Sequence, residues 1–134
     1  MNLPDDKPVR YLTALELYNI NQDVTGHEPF VRDFHLLKSA AKRPGITVFG
    51  QAQFPTLVEK AAALLESLAY HHLFVDGNKR TAVRAVERFL ELNGYKVEWH
   101  FDEEYSFVLE VAQGLQPVEQ IAAWLANHVH AMDE

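Results

Sequence analysis

The sequence predicts an all-α fold, a single compact bundle of about six helices with a short flap segment ahead of the central one. Three observations predict it. Two Thr-x-x-Glu capping boxes, Thr13–Glu16 and Thr56–Glu59, each head an apolar run at the helical period. Glycine and proline punctuate such runs instead of interrupting them. A hydrophobic fraction of 48% supplies an ordinary globular core. The 134 residues fit one domain spanning 1–134, with residues 1–10 read as a flexible N-terminus.

The elements follow in order. Thr13 starts the first helix, with Leu12 and Leu17 placed as a hydrophobic staple; Leu17, Ile20 and Val24 form its apolar stripe, and Gly26 ends it. Asp33 caps a second helix carrying Leu36, Leu37, Ala40 and Ala41, stopped before Pro44-Gly45. Ile46 to Gly50 is β-branched and glycine-bounded, a short extended segment or flap. Behind Thr56, Leu57, Ala61, Leu64, Leu65 and Leu68 mark a helix apolar on several sides, which belongs at the bundle centre. A further helix runs from about Asn78 to Asn93, stopped by Gly94, with Ala82, Val86, Phe89 and Leu90 on its buried face. Tyr95, Val97, Trp99 and Phe101 alternate with polar residues as a brief strand. Two last helices span Asp102 to Gln113 and Pro117 to about Val129.

Composition excludes several classes of function. Lys and Arg number 12 against 19 Asp and Glu, a net charge of −7, which disfavours nucleic acid and anionic membranes as partners. Without cysteine there is no disulfide, thiol nucleophile or Cys-ligated zinc. Met1 to Asp6 has neither the basic nor the apolar region of a signal peptide, and no stretch is apolar for long enough to span a bilayer. The expectation is a cytoplasmic protein.

The chemistry concentrates in His72-Leu73-Phe74-Val75-Asp76-Gly77-Asn78-Lys79-Arg80, between the core helix and the next. A helix start leaves backbone N–H groups unpaired at the positive end of the dipole, a combination that binds phosphates. Gly77 lets a phosphate approach the backbone closely, and Lys79 and Arg80 add cationic donors. Cations oppose the dipole at that position, which itself argues for an anionic ligand. Asp76 offers the single hard carboxylate that Mg²⁺ takes beside phosphate oxygens. His72, expected at the end of the core helix, suits a general base toward a hydroxyl. Base, metal ligand, amide cradle and cations are the parts of phosphoryl transfer.

These nine residues resemble the signature of the Fic/Doc superfamily: His, any residue, Phe, any residue, Asp or Ala, Gly or Ala, Asn, Gly or Lys, Arg. Lys79 replaces the glycine usual in adenylylating members, and Val83 stands where those carry a second arginine. Both features are similar to the death-on-curing (Doc) branch, whereas Gly77 is closer to the adenylylating enzymes. Tyr11-Leu12-Thr13, Val31-Arg32-Asp33, Arg43-Pro44, Phe54-Pro55-Thr56-Leu57 and Leu92-Asn93-Gly94 extend the resemblance in order over residues 10–97.

The resemblance implies a small helical toxin of a toxin–antitoxin pair. It would move the γ-phosphate of ATP onto a protein hydroxyl, by resemblance a threonine of elongation factor Tu, and so inhibit translation. It implies His72 as general base, Asp76 as Mg²⁺ ligand, Gly77 and Asn78 in the anion hole, Lys79 and Arg80 on nucleotide phosphates, and Phe74 as a buried anchor. About Ile46 to Gln53 would be the flap that aligns the target backbone. Ser106 to Val111 approaches the pattern of the family's self-inhibitory helix, but Val111 breaks it, so restraint is expected from a separate antitoxin, a disordered segment that folds on binding. Transfer of AMP and a catalytically silent binding module are the alternatives.

Overall fold

The computed structural model describes residues 8–132. Of the N-terminal stretch expected to be flexible, residues 1–7 lie outside the described residues. Arg10, beyond them, is pinned: its N–H donates to Asn93 Oδ1 and its carbonyl accepts from Asn93 Nδ2, both at 2.9 Å.

The all-α class holds. Helices α1 (Ala14–Thr25), α2 (Phe34–Lys42), α3 (Leu57–Tyr70), α4 (Asn78–Leu92), α5 (Phe101–Ala112) and α6 (Val118–Ala126) carry the fold. Strands among the described residues are confined to two short antiparallel pairs, β1 (Thr47–Val48) with β2 (Gln51–Ala52) and β3 (Tyr95–Val97) with β4 (Val129–Ala131). No helix among the described residues is long and apolar enough to cross a membrane.

Both capping boxes form as the sequence requires, Thr13 and Thr56 each accepting from the N3 backbone while Glu16 and Glu59 reach back. Asp33 caps α2 by accepting from His35 and Leu36 N–H groups. Helix α3 is the centre: Ala61, Ala62, Leu64, Leu65 and Leu68 are buried around its circumference, and α2, α4, α5 and α6 all pack on it. Helix α4 answers with Ala82, Ala85, Val86, Phe89 and Leu90. Small alanines on both helices let the two axes approach, which is what seats the loop between them.

The flap is a hairpin, so the extended segment foreseen over Ile46 to Gly50 is its first strand and turn. Phe49 and Gly50 occupy the turn with φ of 52° and 79°, the left-handed pair that a two-residue hairpin loop needs. Gln53 N–H closes its base onto the Ile46 carbonyl at 3.0 Å. Both feet are clamped to α3. The buried Lys60 ammonium donates to the carbonyls of Phe54 at 2.5 Å and Pro44 at 3.5 Å, and burial lowers its pKa. Arg43 reaches Ser67 Oγ at 2.9 Å and Glu66 at 2.8 Å while its guanidinium lies over the Phe54 ring.

The structure differs from expectation at the C-terminal end. The strand stops at Val97, because its partner β4 is only three residues long. Trp99 and Phe101 therefore leave the alternation: His100 caps α5, which opens at Phe101, and Trp99 turns to Trp124, 5.9 Å away. Helix α6 ends at Ala126 instead of Val129, since Val129 is needed opposite Val97 and His128 accepts from Glu98 N–H.

Replacing Lys60 with Met leaves the carbonyls of Phe54 and Pro44 without their donor. The expected loss is about 1–3 kcal/mol of unfolding free energy, with faster amide exchange at Gln53. Denaturant unfolding and hydrogen exchange measure both, and wild-type values for the two would contradict the clamp.

Candidate active site

Helix α3 ends at Tyr70, two residues earlier than the sequence suggested. His71 is its C-cap, and His72 lies beyond it in a left-handed conformation with φ of 48°. His72 is thus a loop residue, with its side chain exposed. The reversal sends Leu73 and Phe74 into the core, Phe74 with 1% of its surface exposed. Backbone pairing holds the loop from outside: Arg32 N–H donates to Leu73 and Val75 N–H to Phe30, around a bridge of Val31 with Phe74. Asn78 holds it from below. Its Oδ1 accepts from Phe74 N–H at 2.9 Å, and its Nδ2 donates to the Phe74 carbonyl at 2.7 Å. The Asn78 side chain is therefore committed to the shape of the loop.

Gly77 caps α4 in the left-handed region, φ 78° and ψ 20°, with no side-chain hydrogen bond to the helix start. Gly77 thus offers the first turn of α4 no capping side chain, while its own backbone N–H is directed to the Asp76 carboxylate. A Cβ on Gly77 would stand 2.5 Å from Thr25 Cγ2, so the residue is confined by α1 as well as by its own dihedrals. Asn21 completes the brace: with 1% of its surface exposed, its Nδ2 donates to the Asp76 carbonyl at 2.9 Å and to Thr81 Oγ1 at 3.0 Å. Sequence reasoning passed over Asn21. The signal was available, since Asn21 follows Leu17 by four residues and the two are the buried face of α1, where Ile20 and Val24 are only partly covered.

The charges are arranged around Asp76. His27 Nε2 lies 3.1 Å from its Oδ2, and Arg80 Nη2 lies 3.6 Å from its Oδ1. The His27 hydrogen bond, then the Arg80 charge, hold the Asp76 carboxyl below its usual pKa. His27 is correspondingly raised, first by its bond to the Glu28 carbonyl and then by Asp76. These groups are half exposed, so the contacts orient side chains more than they stabilise the fold. Arg80 is steadied further by donating to the Val24 carbonyl at 2.8 Å. The sequence gives His27 no functional role, because nothing local ties residue 27 to residue 76.

A cleft of about 580 Å³ opens over this helix start. Asp76, Gly77, Asn78, Lys79 and Arg80 line one end; Val83 and Arg84 of α4 face Glu104, Tyr105 and Val108 of α5 at the other. The structure thus brings five of the seven expected residues to one wall, with Phe74 buried and His72 outside that wall. A second cleft, about 480 Å³, lies between the flap, α2 and α3, with His71 and Leu73 among its lining. The residues flanking His72 therefore face a different cleft from Asp76. Mg²⁺ fits the donor set. Asp76 is ionised, partly solvated and beside the amide cradle, and among the described residues no cluster of three His, Asp or Glu forms an all-protein cage. A single carboxylate with phosphate oxygens is how Mg²⁺ is usually held. The resemblance of Ser106 to Val111 to a self-inhibitory helix has no counterpart in space: Glu110 accepts from Gln116 at 3.0 Å and lines a separate groove with Glu103.

Gly77→Ala is expected to cost about 1–2 kcal/mol for the left-handed dihedral alone. The Thr25 clash adds to this, and Thr25→Ser in the same chain should recover that added part. Thermal and urea unfolding of the single and double variants measure the two parts. An unaffected Gly77→Ala protein would contradict the confinement.

Comparison with known proteins agrees with this geometry. The profile of the Fic/DOC family matches residues 11–90, from α1 through most of α4. A protein of Mycolicibacterium smegmatis (strain ATCC 700084 / mc(2)155) named Toxin Doc is 42% identical over 123 residues, covering 90% of this chain and 95% of that protein. With the family profile spanning the helices that build the loop, and so close a relative matching nearly end to end, the chain belongs to the Fic/DOC family.

Proposed function

We propose that this protein is the toxin of a toxin–antitoxin pair and transfers the γ-phosphate of ATP to a hydroxyl of a protein. The observation that carries the reading is the uncapped start of α4, where the Gly77 and Asn78 amides, Lys79, Arg80 and the ionised Asp76 share one cleft. Asp76 is the one carboxylate at this end of the cleft, and a polyphosphate would add the negative charge that Lys79 and the helix dipole favour. The similarity to a protein named Toxin Doc supports the biological role.

In the proposed reaction the acceptor oxygen bonds to the γ-phosphorus, the bond from that phosphorus to the β,γ-bridging oxygen breaks, and ADP leaves. The hydroxyl proton passes to the His72 imidazole. Lys79, Arg80 and the helix amides hold the charge that develops on the leaving phosphates. Mg²⁺, held by Asp76, would neutralise phosphate charge. The acceptor segment would lie along the flap at Ile46 to Gln53, with elongation factor Tu as the proposed target and inhibition of translation as the result. A separate antitoxin would restrain the enzyme, since Glu110 does not reach the cleft.

Two features favour phosphate over AMP. Lys79 places a cation beside the first turn, and Val83 leaves the middle of the cleft without the second arginine of adenylylating relatives. Gly77 was the argument for AMP transfer. Its dihedral and the nearness of Thr25 account for glycine there without reference to the group transferred.

Incubation with Mg²⁺, an acceptor extract and ATP labelled at either the α or the γ position separates the reactions. Protein labelling from the γ position alone is expected, and labelling from the α position alone overturns the kinase assignment. His72→Ala should lower transfer by about 10²–10⁴-fold, the usual worth of a positioned general base, and relieve growth inhibition on expression in bacteria. Undiminished toxicity in that variant would favour a binding module without turnover.

A further inference from the structure

The connection between α1 and α2 runs antiparallel beside the motif loop and is tied to it. Arg32 N–H donates to the Leu73 carbonyl at 2.8 Å, Val75 N–H donates to the Phe30 carbonyl at 3.0 Å, and Val31 bridges Phe74 between them. The next contact along the pair is made by side chains, His27 with Asp76. Backbone pairing on one side and the end of α1 at Gly26 on the other set where residue 27 stands. Exposed ion pairs usually contribute little because two long side chains must be held in one geometry. This pair joins two short side chains on segments that are already tethered.

The His27 ring is held at both nitrogens. Its Nδ1 lies 3.0 Å from the Glu28 carbonyl and its Nε2 lies 3.1 Å from Asp76 Oδ2. The Asp76 carboxylate also accepts from the Gly77 backbone N–H. Arg80 Nη2 stands 3.6 Å from Oδ1, beyond hydrogen-bond length, and the same guanidinium donates to the Val24 carbonyl at 2.8 Å. Of His27 and Arg80, then, His27 is the one that grips the carboxylate. An ionised carboxylate accepts at about four lone-pair sites, so two donors can set its direction and still leave room for a cation. Both side chains are half exposed, and the bond between them changes where Asp76 points far more than how stable the fold is. His27 does not line the cleft over α4, whereas Asp76 does, so any influence of His27 on a ligand there passes through Asp76.

We propose that His27 is a positioning residue for the metal site: its imidazole fixes the Asp76 carboxylate in the direction from which a divalent cation is held beside the phosphates. The inference rests on the Mg²⁺–nucleotide reading above and adds a residue that the nine-residue motif does not contain. Carboxylates that bind metals are themselves hydrogen-bonded, and losing such an outer partner typically costs about 10–100-fold in metal affinity. Metal affinity is thus set by the α1–α2 connection as well as by the loop that carries Asp76.

Calorimetric titration with ADP, once with Mg²⁺ and once with a chelator, separates positioning from a structural role. The wild-type protein should bind ADP more tightly with Mg²⁺. His27→Ala should weaken binding in Mg²⁺ by about tenfold or more, and leave metal-free binding and the melting temperature unchanged. His27→Gln, whose amide can donate toward Asp76, should recover most of that loss. In an Asp76→Asn background His27→Ala should have no further effect, since the two side chains act as a unit. His27→Ala binding Mg²⁺ and ADP as tightly as wild type, or more tightly, overturns the assignment. So does an equal loss with and without the metal, a His27→Gln protein as weak as His27→Ala, or a full His27 effect in the Asp76→Asn protein. A wild-type protein whose affinity for ADP does not respond to Mg²⁺ is a separate result, which overturns the metal reading itself and with it the role of His27.

Discussion

The left-handed turn at Gly77, wedged beneath the last turn of α1, is the constraint on which the site depends. It lets the chain leave the core at Phe74 and begin α4 four residues later, with no side chain capping the new helix. Thr25 and Asn21 hold that turn from α1, and Asn78 holds the loop from α4. A loop fixed from two helices presents its amides without having to order them when a ligand arrives, which is the physical content of preorganisation. The cost is an uncapped helix with cations in its first turn, an arrangement unfavourable to the isolated helix. Such a local conflict between stability and sequence is where function is expected.

The molecule's acidity sharpens this. Against a net charge of −7, Lys79 and Arg80 stand with the helix dipole at one end of a cleft whose other end carries Glu104. Asp76 sits at the boundary, paired with His27 and Arg80, which keep it charged and aimed. The flap meanwhile is clamped at both feet by Lys60 and Arg43, so its exposed tip at Phe49 projects from a fixed base. The cleft over the start of α4 takes Asp76 to Arg80 from the loop's end, and the cleft beside the flap takes His71 and Leu73 from its beginning, so one loop contributes to both.

Much of this was legible in the sequence where the cause is local. The capping boxes at Thr13 and Thr56, the Asp33 cap and the left-handed stops at Gly26 and Gly94 each depend on residues within one turn, and each formed as read. The motif residues from Asp76 to Arg80 were legible as a helix start and do share a wall. What escaped depends on residues distant in sequence. Val129 leaves α6 to pair with Val97, and Trp99 leaves the strand to meet Trp124. Asn21, Thr25 and His27 reach a loop some fifty residues away, and only the placement of an asparagine on the buried face of α1 hinted at it.

The central claim is tested most directly by following the backbone amide resonances as the protein is titrated with Mg²⁺ and ADP. The account predicts that the N–H signals of Gly77, Asn78 and Lys79 shift first and furthest, with slower exchange on saturation. Shifts that spare this helix start and gather elsewhere in the molecule would contradict it.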